Sequence, residues 1–506
     1  MLLFLAACAG IGPSGGESDE SRNRPDDTAG DTERAVDTAV ETGRDSAADT
    51  GRDTAGETAV DTAVDTGSDA DVDTAAPTSS GAARATVNGG VASGGAGGVS
   101  TLAAVDLDGD GDLDIVVGAP GAADGTAGVF DPAAAAGEVQ LTAVTRATVQ
   151  GRNVGWLVPH GGDGDGDGVD DLVIGRGEGL STDRAAPGAV YLLSGAGLGP
   201  ASTLLDAHAE ANGEYDNGFL RFGSHGDIDG DGFPDLAVGA TLDNDGNWEW
   251  TDSGSVALWM GPRAGALWYV DADAHVYGTW FEFGLGASLL LADLDADGYA
   301  DLLVGAPQWE EDVGAVLTLP GGATGEWDHR ASEAATSIVR GVDAGMRLGA
   351  DAFCRPGDLD GDGRLDLVLT SSTAGMAWAW SGWPGTGENT VGDAAVTVTG
   401  DAGSFGTAAA CNADLDGDGV HDLAVGDPGG DAAAADAGTL WAFIDPLAGA
   451  DAIGTGASDA AWHGEAAGDA FASAVVAADG ELVVGAPGRD AGAPEAGAVY
   501  LGAFAW

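Results

Sequence analysis

Short runs of consecutive apolar residues recur along residues 84–506. The marked ones are Ile115-Val116-Val117-Gly118-Ala119-Pro120, Leu172-Val173-Ile174-Gly175, Leu236-Ala237-Val238-Gly239-Ala240, Leu302-Leu303-Val304-Gly305-Ala306-Pro307 and Leu482-Val483-Val484-Gly485-Ala486-Pro487. Apolar side chains at successive rather than alternate positions predict strands buried on both faces. The runs begin at 115, 172, 236, 302, 367, 423 and 482, so the spacing stays between 56 and 66 residues. Seven such units fill the 423 residues with nothing left over.

Each unit reads as four short strands. Phe222-Gly223 and Phe283-Gly284 open a first strand that runs into an acidic loop, and the apolar run is the second. Gly188-Ala189-Val190-Tyr191-Leu192, Gly254-Ser255-Val256-Ala257-Leu258 and Gly314-Ala315-Val316-Leu317 are third strands. Ala147-Thr148-Val149-Gln150-Gly151 is a fourth. Four-stranded sheets repeated around an axis bury their central strands twice and expose only short edges. The expected fold is all-β, a seven-bladed β-propeller over 84–506. The last unit stops after a third strand, Gly497-Ala498-Val499-Tyr500-Leu501, while Ala85-Thr86-Val87-Asn88-Gly89 reads as a fourth strand without a blade. Pairing the two would latch the ring.

Phe-Gly, an Asp-rich loop, Gly-Ala-Pro and Gly-Ala-Val-Tyr-Leu, recurring in that order, resemble FG-GAP repeats as in the integrin alpha-subunit head. The resemblance spans 84–506. It departs locally: Leu348-Gly349 and Val154-Gly155 replace Phe-Gly, Phe471-Ala472 lacks the Gly, and the seventh acidic loop shrinks to Asp479-Gly480-Glu481.

The loops carry the candidate chemistry. The pattern Asp-x-Asp-x-Asp-Gly-x-x-Asp occurs at Asp106, Asp108, Asp110 and Asp114; at Asp163, Asp165, Asp167 and Asp171; and at Asp227, Asp229, Asp231 and Asp235. It returns at Asp293, Asp295, Asp297 and Asp301; at Asp358, Asp360, Asp362 and Asp366; and at Asp414, Asp416, Asp418 and Asp422. Hard oxygens at alternate positions suit calcium, which takes six to eight oxygen ligands. The expectation is side chains from positions one, three and five, the carbonyl of seven, and the ninth Asp closing the site bidentately. An EF-hand needs Glu at position twelve, where this chain has Val117 or Ile174 inside a strand. About six Ca²⁺ ions are expected, in a mainly structural role.

Charge makes a cation more pressing. The chain holds 83 Asp and Glu against 18 Lys and Arg, a net charge of −65, and all 18 cations are Arg. Such a polymer is repelled by nucleic acid and anionic lipid, so neither is an expected partner.

The first eighty residues read differently. Leu5-Ala6-Ala7-Cys8 resembles a bacterial lipobox, which implies that 1–8 is a signal segment cut before Cys8, that Cys8 then carries lipid, and an envelope location at the outer membrane or cell surface. Residues 9–83 repeat an Asp-Thr-small theme with no aromatic side chain, too little apolar area to offset ordering entropy. They are expected to be a disordered tether. Membrane contact would then come only through the lipid.

On the face opposite the acidic loops, Tyr215, Trp248, Trp250, Trp280, Phe281 and Trp309 form a candidate patch for a protein or glycan. Integrin heads use the corresponding face for partners, as the resemblance implies. The alternative is that these rings pack between blades. No nucleophile elbow, zinc-protease helix or phosphate loop occurs, so the reading is a monomeric binding and adhesion module rather than an enzyme. A propeller-based polysaccharide hydrolase or lyase is the other function considered. Cys354 and Cys411 each precede an acidic loop, and the sequence leaves open whether they are joined.

Overall fold

A computed structural model of the chain describes residues 79–88, 101–119, 125–151, 154–157, 162–176, 188–212, 220–241, 243, 253–278, 284–322, 329–448, 452–489 and 497–504. These lie within one compact unit, Val72–Trp506. Cys8 and the segment expected to be a tether, up to residue 78, lie outside the described residues. The fold is a seven-bladed β-propeller.

Blade three displays the plan. Its strands Leu220–Gly226, Asp235–Ala240, Ser255–Trp259 and Ala274–Tyr277 pair antiparallel in chain order. Blade four repeats it with Leu289–Ala292, Asp301–Ala306, Ala315–Leu319 and Ser337–Arg340. The second strands of blades three, four and six are buried at every position. That is the environment their unbroken apolar runs require. Blade five is the irregular one: its first strand is reduced to a bridge between Gly357 and Asp366.

The core is divided among the blade interfaces. Ile115 and Val117 of blade one pack with Val483, Val499 and Leu501 of blade seven, all at most 1 % exposed. Val238 and Trp259 of blade three pack with Val173 and Val190 of blade two. Among the described residues seven such clusters occur, each shared by two successive blades. A ring of seven has seven interfaces, so the core itself records closure.

The latch forms as expected and does more. Ser79–Asn88 pairs antiparallel with Ala498–Phe504, with Ala85 opposite Leu501 and Asn88 opposite Ala498. Its outer edge takes Gly137–Gln140 of blade one in parallel. Its start, Ser79-Ser80, pairs in parallel with Ala460-Ala461 of blade six. One strand therefore hydrogen-bonds to three blades, and it begins five residues before the boundary expected at 84.

The same handshake runs around the ring. A short segment after each third strand adds in parallel to the previous blade's fourth strand: Ser202-Thr203 onto blade one, Gly265–Trp268 onto blade two, His329-Arg330 onto blade three, Gly387–Thr390 onto blade four and Ala452–Gly454 onto blade five. These segments, two to four residues long, are too short to read as strands from the sequence.

The repeated glycines acquire a reason. A Cβ on Gly239, Gly305 or Gly426, at the end of the second strand, would lie 2.3, 2.2 or 2.2 Å from the carbonyl oxygen of Gly286, Gly349 or Ala472 in the next blade. The Gly of Gly-Ala-Pro thus leaves room for the neighbour's Phe-Gly turn. In blade four the turn that meets Gly239 is Leu285-Gly286, and the strand starts at Leu289; Phe283, expected to open it, lies outside the described residues. Leu285 is fully buried and bridges to Gly254 of blade three.

Cys354 and Cys411 form a disulfide with Cα atoms 6.0 Å apart, joining blades five and six. Innermost strands line an axial cavity of about 280 Å³ that includes Leu102, Leu289, Phe353, Ala409 and Val476.

Candidate functional site

The six acidic loops occupy one face, beside the chain that leaves each third strand. Their shape follows from aspartates accepting backbone N–H groups. In blade three the Asp227 carboxylate takes Gly230 N–H at 2.6 Å and Gly232 N–H at 2.9 Å; Asp229 takes Asp231 N–H, and Asp231 takes Phe233 N–H. Blades five and six repeat this set around Asp358 and Asp414. The turn needs a left-handed residue at position four as well as six: Gly230 has φ of 77° and Gly232 of 90°. Position four is Gly in five loops, a signal the sequence reading passed over. In blade four Ala296 adopts it at 63°.

Carboxylates one, three and five converge. Oxygens of Asp106, Asp108 and Asp110, of Asp163, Asp165 and Asp167, and of Asp293, Asp295 and Asp297 each lie within 4.8 Å of one another, as do those of Asp227, Asp229 and Asp235. The donors are hard carboxylate oxygens, which fits Ca²⁺.

The ninth aspartate has a second task. Asp235 accepts Ile228 N–H at 2.7 Å from its own loop and Gly261 N–H at 2.5 Å from the chain after the third strand. Asp301, Asp366 and Asp422 do the same with Leu294 and Gly321, Leu359 and Gly382, and Leu415 and Asp445. These buried carboxylates staple loop to blade. Burial pushes Asp235, Asp301, Asp366 and Asp422 up to about 6, and Asp171 up to about 7.

Neighbouring loops touch. Val169, Phe233, Tyr299 and Val420, all at position seven, cover the position-four glycines Gly109, Gly166, Gly230 and Gly361 of the preceding blade. Gly417 has no such cover, since blade seven lacks a loop.

Three blades bring a basic side chain to the ninth position. In blade one Arg146 donates to both oxygens of Asp114 and lies 3.8 Å from Asp108. In blade two His208 faces Asp165 and Asp171. In blade seven Arg84 meets Glu481, which stands where the other blades have the ninth Asp. The sequence reading missed all three, because Arg146 and His208 precede fourth strands and Arg84 lies within the latch strand, all far from the loops in the chain.

Of the aromatic patch, Trp309 is 7 % exposed within the core shared by blades three and four, and the Arg340 guanidinium lies 6.0 Å from its ring centre. That is a packing position. Tyr215, Trp248, Trp250, Trp280 and Phe281 lie outside the described residues.

Residues 98–138, 219–259 and 285–319 match the FG-GAP repeat model, and 358–425 match the FG-GAP-like repeat model. The chain carries FG-GAP repeats. Phosphatidylinositol-glycan-specific phospholipase D of Rattus norvegicus is 34 % identical over 160 residues, 30 % of this chain and 18 % of the relative. Integrin alpha pat-2 of Caenorhabditis briggsae is 26 % identical over 238 residues, 42 % of this chain and again 18 % of the relative. The chain thus spans under a fifth of these relatives. Among solved structures, the WD40 domain of Toxoplasma gondii coronin is similar with 12 % identity and a TM-score of 0.46, covering 85 % of this chain and 87 % of that one. BBS1N in complex with ARL6DN is similar with 10 % identity and a TM-score of 0.40, covering 83 % and 98 %.

Proposed function

We propose that this ring of FG-GAP repeats is a calcium-stabilised binding module that presents loop faces to a protein or glycan. The observation that carries the calcium reading is the repeated convergence of three carboxylates on a loop already shaped by backbone hydrogen bonds. Positions one, three and five would hold the ion, and the ninth Asp would add an oxygen while stapling the blade. The ion's charge would offset repulsion where the −65 chain is most crowded. Loop one should bind more weakly, because Arg146 already neutralises Asp114.

The binding reading draws on the FG-GAP repeats and the likeness to an integrin alpha chain. It is also favoured over a polysaccharide hydrolase by the axial cavity, whose described lining contains no carboxylate. Lipid on Cys8 and a tether would place the module on a bacterial envelope as a monomer. The test is a glycan array and a panel of surface proteins, probed with the full chain with and without calcium. Calcium-dependent capture of one class, lost on replacing Trp248 and Trp250 by Ala with the melt unchanged, is the expected result. Turnover of a polysaccharide by the same chain would replace this reading with the enzymatic one.

A further inference from the structure

Blade two departs from the other loops in a way that selects a different metal. The ninth aspartate elsewhere accepts the amide of the loop's second residue, as Asp235 does from Ile228. In blade two that amide, Gly164 N–H, turns to Gly162 O at 2.9 Å. One oxygen of Asp171, Oδ2, has no partner at hydrogen-bond distance and angle, the Gly164 N–H giving it only a weaker pull, on a side chain with no exposed surface. It points at His208, whose Nε2 lies 3.9 Å away; Nδ1 of the same ring lies 3.9 Å from Asp165 Oδ2. Neither ring nitrogen has a hydrogen-bond partner. The three ligand atoms of Asp165, Asp171 and His208 lie within 4.8 Å of one another.

A second imidazole walls the same loop. His225, on the first strand of blade three, is 6 % exposed, and neither nitrogen has a partner at hydrogen-bond distance and angle, the Gly162 backbone giving only a weaker contact. Its ring fits only because position 164 is Gly: a Cβ there would sit 2.7 Å from Cε1. Buried polar atoms left unpaired cost free energy, and a cation between Asp171 Oδ2 and a His208 nitrogen removes that cost for these two groups.

We propose that Asp165, Asp171 and His208 form a site for a borderline divalent cation of the zinc class. Calcium takes oxygen ligands almost exclusively, whereas imidazole nitrogen favours zinc and its neighbours. Zinc bonds of 2.0–2.2 Å to nitrogen and oxygen place tetrahedral ligands about 3.3 Å apart; a single ring nitrogen of His208 already lies within 4.8 Å of an oxygen of each carboxylate, and turning the ring so that this one nitrogen faces both would complete the set. The site takes two carboxylates from the calcium reading of blade two but is independent of calcium in the other blades.

The full chain, stripped of metal and then equilibrated with excess calcium and limiting zinc, is passed over a desalting column, and both metals are counted per chain. The wild type should keep one zinc, and His208→Ala should lose it or bind at least tenfold more weakly with its melt unchanged. Cobalt substituted for zinc should give visible absorption in the wild type that His208→Ala abolishes. Equal zinc retention by the two chains, or none by the wild type, overturns the proposal. Calcium in the same samples is a separate reading: zinc kept with no calcium bound would refute the calcium proposal and leave this one standing.

Discussion

Arg84 and Glu481, 397 residues apart in the chain, meet across the closure of the ring, with Arg84 Nε 2.7 Å from Glu481 Oε2. The same guanidinium donates to Ala135 O of blade one at 2.8 Å and to Pro132 O at 3.2 Å. It sits at a bulge in the latch strand, between Ala83 and Ala85. In the one blade without an acidic loop, a covalently attached cation therefore stands at the closing carboxylate and ties blade seven to blade one. Replacing Arg84 by Ala should lower stability by about 1–2 kcal/mol, since three hydrogen bonds from a part-exposed charge are lost. Chemical denaturation of the two chains measures it, and an unchanged midpoint would remove Arg84 from the closure.

Calcium removal should lower the melting temperature sharply, because the remaining carboxylates then face one another unshielded. Calorimetry of the full chain with calcium and after exhaustive chelation gives the comparison; equal melts would contradict the calcium assignment.

The pH dependence of the metal-free chain should have an unusual sign. Asp235, Asp301, Asp366 and Asp422 rise from 3.8 to about 6, and Asp171 to about 7, through burial. A raised carboxylate means the folded chain holds protons the unfolded chain has lost. Its stabilising share is complete below the unfolded value near 4 and disappears as pH rises through 6 to 7. The metal-free protein should melt higher at pH 5 than at pH 7.5, with each group contributing on the order of 1 kcal/mol. With calcium bound the trend should reverse, since protons then compete with the ion. A metal-free melt that rises with pH would contradict this account.

Ala296 is the position-four residue of its loop and holds a φ of 63°. Left-handed backbone costs a residue with a Cβ roughly 1–2 kcal/mol. Ala296→Gly should stabilise the chain by about 1 kcal/mol. Gly298→Ala should cost about 1–2 kcal/mol by strain alone, because its Cβ would meet nothing within 4 Å.

The Cys354–Cys411 bridge closes a segment with a sequence separation of 57. Reducing it, or replacing both residues by Ser, should lower stability by about 2–4 kcal/mol. Thiol titration of the native chain before and after reduction establishes the bridge first.

The chain by itself determined the blade count, the strand plan and the loops. Double-faced burial of the second strands left unbroken apolar runs such as Leu302-Leu303-Val304, and each turn demands its aspartates and glycine locally. The latch was legible too, because one unpaired strand at each end leaves a single partner. Contacts between segments remote in the chain were decided only by the tertiary structure. Leu285 fills the interface between blades three and four, Trp309 packs instead of facing outward, and Arg84, Arg146 and His208 arrive at the ninth position from elsewhere in the chain. Periodicity reports which face of a strand is covered; it carries no record of which neighbour covers it, and the ring's closure alone sets those pairings.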